Sequence, residues 1–365
     1  MSANNFRFLF DRALADLFRE ALGKFWTDPR AAWSFFRILL YQRQARQRRR
    51  QNEQRGLIVP AVMIISITRQ CNLRCVGCYS RLLRSEENNR KNELSPDRLR
   101  SLLKDASELG ISVVFLAGGE PLLRPEILNI TAEFPEIVFP LFTNGTLVNE
   151  DWGMFLRRHE NIIPVLSLEG LPEDTEDRRG RGILAQLDRA ISVFRAKKLF
   201  WAVSFTVTSL NFSAVANRDF LERLVTLGSR AFFFVEYVPI QEDSEGLVLT
   251  EEQKREMIEL VAGFRQSVRA LFVMLPGDET EFGGCLAAGR GFIHVNADGD
   301  VEPCPFAPYS DTDVRDGTLK QALGSKLLAA IREHHQDLKE TTGGCALWAQ
   351  REWVKQLMME KKQSI

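Results

Sequence analysis

The chain has 365 residues, enough to bury a full core, and its 48 basic side chains balance its 48 acidic ones. That balance excludes a global electrostatic pull toward nucleic acid or membrane, and no apolar run approaches the ~20 residues of a spanning helix. Six cysteines are too few for a disulfide framework at this length, and the amino terminus lacks a secretory hydrophobic stretch, so a reducing, oxygen-poor, cytoplasmic setting is expected.

Residues 1–60 form an amino-terminal segment of their own. Phe10, Leu14, Leu17, Phe18, Ala21, Leu22 and Phe25 recur at roughly helical intervals, Asp28-Pro29 interrupts them, and a second periodic run covers Ala31 to Leu40. Arg43, Arg46, Arg48, Arg49, Arg50 and Arg55 follow among glutamines and read as a solvated basic stretch. Two amphipathic helices packed on the body are expected. Basic residues beside large aromatics also suit peripheral membrane or partner-protein contact. Nucleic-acid binding is not expected, since no stacking module accompanies the charge.

From 61 to 240 the pattern is strand, loop, helix, repeated. Met63 to Thr68 is the first strand, and the loop after it holds Cys71, Cys75 and Cys78, followed by Tyr79. Cysteine thiolates are the soft ligands of iron–sulfur clusters, zinc and copper(I). A structural zinc would want a fourth nearby ligand, and the next histidine is His159 and the next cysteine Cys285. Ser95-Pro96-Asp97 starts a helix that Gly110 ends. The strand Ile111 to Leu116 then exits into Gly118-Gly119-Glu120-Pro121, where two glycines let backbone approach a ligand and a carboxylate can meet an ammonium.

Further strands are predicted at 137–142, 162–168, 201–208 and 231–238, with Asn144, Ser167, Glu169, Thr206, Thr208 and Asn211 at or just beyond their carboxyl ends. Arg178 to Gly182 reads as a mobile polar loop. Glu236 and Tyr237 alternate, so one of them should face inward. Six βα units buried on both faces predict a partial (β/α)6 TIM-like barrel, with functional residues at the carboxyl ends of its strands. Residues 241–284 read as a helical connection and 285–365 as a small cysteine-containing extension with a carboxy-terminal helix.

The CxxxCxxC loop with its trailing aromatic, followed one βα unit later by Gly-Gly-Glu-Pro, resembles the signature of radical S-adenosylmethionine enzymes. The resemblance implies a [4Fe-4S] cluster on Cys71, Cys75 and Cys78 whose open iron takes the amino and carboxylate groups of S-adenosylmethionine. Reductive cleavage would then give a 5′-deoxyadenosyl radical for hydrogen abstraction. By the same resemblance Gly118, Gly119, Glu120 and Pro121 bind the methionine amino group, Ser167, Glu169, Thr206, Thr208 and Asn211 meet ribose or carboxylate, and Asn144 is a polar contact. Backbone around Val238 (Val235 to Pro239) packs on adenine, with Tyr79 on the cluster side.

Cys285, Cys304 and Cys345 all sit in glycine- or proline-rich turns, and Asp298-Gly299 reads as the turn of a hairpin that begins with the strand Gly291 to Val295. The stretch from Cys285 to Pro303-Cys304 resembles the auxiliary-cluster extension (SPASM/Twitch-like) of one branch of that family. Three cysteines support at most one auxiliary [4Fe-4S] cluster, completed by Asp298, His294 or substrate, or left with an open iron; zinc, or three buried unliganded thiols, are the competing readings. Asp278, Glu279 and Glu281 read as solvated loop acids.

The expected activity is therefore radical chemistry on a peptide or protein, giving net oxidation or cross-linking. Nothing like the family's usual peptide-grasping segment is evident in residues 1–60, so a small metabolite, lipid or cofactor precursor is the alternative, and a non-catalytic iron–sulfur module is a remote one. An external one-electron donor such as flavodoxin or ferredoxin is implied.

Overall fold

The computed structural model describes residues 3–83, 93–275, 282–338 and 345–362, and the side chains of 9–83 and 345–358 within the first and last of these stretches. Asp278, Glu279 and Glu281 lie outside the described residues. The chain opens with a helical hairpin, α1 (Ala3–Phe25) and α2 (Pro29–Gln54). Asp28 caps α2 by accepting from the Arg30 and Ala31 amides, and Pro29 takes the first-turn position where its missing N–H costs nothing. The basic stretch forms the last three turns of α2, with Arg43, Arg48 and Arg50 exposed as expected. Arg49 is buried there, donating to the Gly110 carbonyl and pairing with Asp11 at 2.5 Å. Burial lowers its pKa, and Asp11 opposes that shift.

Six βα units follow. They are β1 (Val62–Thr68), one-turn α3 (Tyr79–Leu82), α4 (Pro96–Leu109), β2 (Val113–Gly118), α5 (Pro125–Thr131), β3 (Phe139–Thr143), α6 (Glu150–Arg158) and β4 (Ile162–Leu168). Then come α7 (Pro172–Arg179), α8 (Ile183–Ala196), β5 (Trp201–Val207), α9 (Phe212–Val215), α10 (Arg218–Thr226) and β6 (Ser229–Glu236). Ser95 caps α4 through the Arg98 amide, and Gly110 closes it in the left-handed region at φ 99°. After α11 (Glu251–Ser267), which opens on a Thr250/Gln253 capping box, β7 (Leu271–Leu275) pairs parallel with β6. The segment read as a helical connection thus also supplies a strand.

The sheet order is β7-β6-β5-β4-β3-β2-β1-β8-β9, with β8 (Phe292–Val295) parallel to β1 and β9 (Val301–Glu302) antiparallel to β8. Short helices α12 (Leu319–Ala322), α13 (Lys326–Glu333), α14 (Ala346–Ala349) and α15 (Arg351–Lys362) complete the chain. The extension is therefore welded edge-on to the barrel sheet.

Strand periodicity divides the core in two. Met63, Ile65, Leu116, Leu166, Phe205 and Phe232 point outward to the helices. Val113, Val138, Val165, Ala202, Ala231 and Leu271 point inward and bury Phe18, Ala21, Phe25, Phe35 and Ile38 of the hairpin. Most of these inward residues lie early in their strands, so the hairpin plugs the amino end of the barrel. The carboxyl end is left for chemistry.

Candidate functional site

The cysteine loop leaves β1 and is fastened by its neighbours' backbone. The Gly119 amide donates to the Thr68 carbonyl at 2.7 Å and the Glu120 amide to the Gln70 carbonyl at 2.8 Å. A Cβ on Gly118, at φ 112°, would lie 2.7 Å from the Thr68 oxygen, and one on Gly119 would overlap the Gln70 carbonyl. The two glycines thus serve close contact between the β1 and β2 exit loops, where the sequence suggested approach to a ligand. On the far side the Val76 amide donates to the Arg178 carbonyl at 2.9 Å, and a Cβ on Gly77 (φ 65°) would come within 2.9 Å of the Tyr237 ring.

Glu120 is buried beneath this loop and caps the 3-10 turn begun by buried Pro121. Its Oε1 accepts from the Leu122 amide (3.0 Å) and the Thr143 hydroxyl (2.8 Å), and its Oε2 from the Asn144 amide (2.8 Å). Burial pushes its pKa up, opposed by those hydrogen bonds and by Arg179. All three direct partners are neutral, so the carboxylate has lone-pair capacity and an electrostatic need for a cation. The Asn144 side chain donates to Asn72 at 2.8 Å and lies 3.9 Å from the Cys71 sulfur, linking carboxylate and cysteine loop.

Glu169, after β4, is buried against Arg178 and Arg179, with Arg178 also donating to Thr206 at 3.0 Å. Burial acts to lower the Arg178 pKa, but Glu169 and the thiolates of Cys75 and Cys78 outweigh it. Burial raises the Cys75 pKa, and Arg179 and Arg178 pull against it. Among the described residues, Glu169 Oε2 and Tyr237 Oη are buried without hydrogen-bond partners. Of the stretch read as a mobile loop, residues 180–182 form the turn into α8, while Arg178 and Arg179 are the end of helix α7 and belong to the site. Their signal was Pro172 with Glu173 and Asp174, a helix start that the glycines beyond obscured.

The remaining positions divide. Ser167 and Ser204 face each other at 3.5 Å on the inner wall. Asn211 is committed to structure, accepting from Thr208 and donating to the carbonyls of Glu169 (2.6 Å) and Thr206 (2.9 Å), so it knits the β4 and β5 exits. Val238, Glu236 and Tyr237 are all buried, Glu236 as the last residue of β6 and the other two just beyond it. Tyr79 packs on Phe306 with ring centroids 4.9 Å apart, joining the cysteine loop to the extension.

In the extension, Cys304 is buried and its thiol pKa is pushed well up, first by a hydrogen bond with Cys345, then by burial and by the charges of Cys345 and Cys285. Cys304 thus lies beside Cys345 and within reach of the charge of Cys285, and none of the three is in a disulfide. Both ring nitrogens of His294 and one oxygen of Asp298 are already engaged. The histidine's Nε2 meets Ser66 at 2.8 Å and its Nδ1 meets Glu302 at 2.6 Å, while Asp298 pairs with Arg69 at 2.5 Å. Among the described residues, no three Cys, His, Asp or Glu side chains close on a point where a single metal ion would sit. Ligands at the corners of a four-iron cube stand farther apart than those around one ion, so this bears on zinc more than on a cluster.

A partial α/β barrel with a three-cysteine loop and a buried carboxylate at the carboxyl ends of its strands defines a class of cofactor-dependent barrel enzymes. Residues 65–227 match the family model described as Radical SAM superfamily. It is 25% identical over 317 residues to the AdoMet-dependent heme synthase of Methanosarcina barkeri, covering 79% of this chain and 88% of that one. It is 27% identical over 318 residues to the mycofactocin maturase of Mycolicibacterium smegmatis, covering 80% and 76%. Streptococcus suis SuiB bound to S-adenosylmethionine superposes with a TM-score of 0.63 at 17% identity, over 80% of this chain and 72% of that one; SuiB has also been solved with its precursor peptide SuiA. The expected partial barrel with its carboxy-terminal extension is the fold observed.

Proposed function

We propose that Cys71, Cys75 and Cys78 hold a [4Fe-4S] cluster and that Glu120 receives the ammonium of S-adenosylmethionine. The observation that carries this is the buried Glu120 carboxylate, met directly only by neutral donors and tied through Asn144 to Cys71. When bound and reduced, such a cluster supplies one-electron cleavage of the sulfonium and a carbon radical that removes hydrogen from substrate. The chain's own residues do the rest. Arg178 and Arg179 offset negative charge at Cys75 and Cys78, and Glu169 fixes both guanidinium groups. Ser167, Thr206 and the backbone near Val238 line the wall where the nucleoside would lie, while Thr208 and Asn211 hold that wall in place. Gly118, Gly119 and Pro121 set the height of Glu120, and Tyr79 and Tyr237 cover the loop against water.

Cys285, Cys304 and Cys345 are proposed to bind a second cluster, supported by their mutual approach and their place in turns. A peptide or protein is the substrate read first, supported by the likeness to the mycofactocin maturase and to SuiB. Electrons would come from a flavodoxin- or ferredoxin-type donor. The likeness to a heme synthase favours a cofactor precursor as the second reading, and so does the hairpin at residues 3–54, which plugs the barrel instead of reaching for a peptide. Anaerobic reconstitution followed by an assay for 5′-deoxyadenosine tests the first step. Product from the native chain and none from Cys71→Ala is expected; no product under strong reduction would leave a non-catalytic iron–sulfur module.

A further inference from the structure

The hairpin buries one side in the barrel and leaves an aromatic side in solvent. Trp26, Trp33, Phe36 and Leu40 are 69%, 60%, 45% and 43% exposed. Trp33 and Phe36 stack with centroids 5.8 Å apart. At helical spacing Trp33, Phe36, Arg37, Leu40 and Arg43 share one face of α2, opposite buried Phe35, Ile38 and Gln42. A contiguous exposed patch of this kind marks a surface that is covered in use.

Charge says what covers it. Of the seven arginines of α2, Arg46 and Arg49 pair with Asp11 and Arg30 with Glu160, which leaves Arg37 and Arg43 as the exposed cations of the aromatic face. Beside the turn, a cavity of about 460 Å³ has apolar walls that include Phe25, Phe35, Ile38 and Phe200. Arg30, Arg157, Arg195, Lys198, Arg230 and Arg269 line it as well, against only Asp28 and Glu160. Both acids are engaged, Asp28 on the α2 amides and Glu160 with Arg30 at 3.0 Å. Burial first, and then the charge of Arg269, lower the Arg230 pKa, with Asp28 opposing. A second copy is a poor fit, since a symmetric contact would press one arginine-rich helix against another.

We propose that the outer face of the hairpin docks on an anionic lipid surface, with Trp26, Trp33, Phe36 and Leu40 in the interface and Arg37, Arg43 and the basic cavity mouth at lipid phosphates. The helix lies flat on the bilayer. Because the hairpin plugs the amino end of the barrel, the cysteine loop faces away from the membrane and stays open to substrate and reductant. This rests on the hairpin alone and is independent of the proposed chemistry.

Co-sedimentation of the full chain with mixed phosphatidylglycerol–phosphatidylcholine vesicles tests it, against vesicles of phosphatidylcholine only. Binding to the anionic vesicles that weakens with salt is expected. Trp33→Ala with Phe36→Ala should weaken it at least about tenfold, and Arg37→Gln or Arg43→Gln about fivefold each. All four positions are exposed, so unchanged circular dichroism and unchanged iron content and 5′-deoxyadenosine formation in solution should show that the variants fold. No binding by the native chain, or equal binding to both vesicles, overturns the proposal. So does a native dimer that the aromatic variant makes monomeric without any vesicle binding, which would give the face to a second copy.

Discussion

Glu120 is the residue on which affinity for the proposed cofactor turns. Removing one partner of a buried, hydrogen-bonded charge pair costs about 2–5 kcal/mol, so Glu120→Gln should weaken S-adenosylmethionine binding at least about thirtyfold by calorimetry, with iron content unchanged. The raised pKa adds a pH signature. A carboxyl whose folded pKa lies above its unfolded one contributes stability that is present below the unfolded value and lost as pH rises through the folded value. The cofactor-free protein should therefore lose melting temperature relative to Glu120→Gln as pH rises above the ordinary carboxyl value of about 4.3, and added cofactor should restore more of it at the higher pH. An identical pH profile in both proteins would mean that the carboxyl is not titrating there.

At the scale of elements, the site depends on two loops pressed together. Gly119→Ala places a Cβ on the Gln70 carbonyl, backbone against backbone, so it cannot be relieved by a rotamer change. A loss of about 3 kcal/mol or more is expected by denaturant unfolding, along with loss of reconstituted iron. Strand α/β alternation and the helix capped by Ser95 and closed by Gly110 were legible in the sequence because local rules decide them: a hydroxyl cap, a first-turn proline and a glycine at positive φ. Other elements are decided by tertiary contact and were not. Arg49 looks like one more solvated arginine until Gly110 and Asp11 close around it, and Arg178 looks like loop until Glu169 holds it in α7. Strand β7 was missed because Leu271–Leu275 is a short apolar run that pairs, among the described residues, with β6 alone. His294 looked free to be a ligand because nothing local shows that Ser66 and Glu302 occupy both ring nitrogens.

For the whole molecule, the sheet carries two sets of cysteines, one at the exit of β1 and one around the β8–β9 hairpin joined to it edge-on. If each set holds a four-iron cluster, the native chain should bind about eight irons, and Cys304→Ala should bind about four while keeping S-adenosylmethionine cleavage detectable. A native chain with no more than about four irons after full reconstitution would remove the second cluster.

The most direct measurement is electron paramagnetic resonance of the reduced Cys285→Ala/Cys304→Ala/Cys345→Ala protein, in which only the loop of residues 71–78 can hold a cluster. Adding S-adenosylmethionine should shift the signal, as coordination at an open iron requires. A four-iron signal that stays the same at saturating S-adenosylmethionine would contradict the central claim.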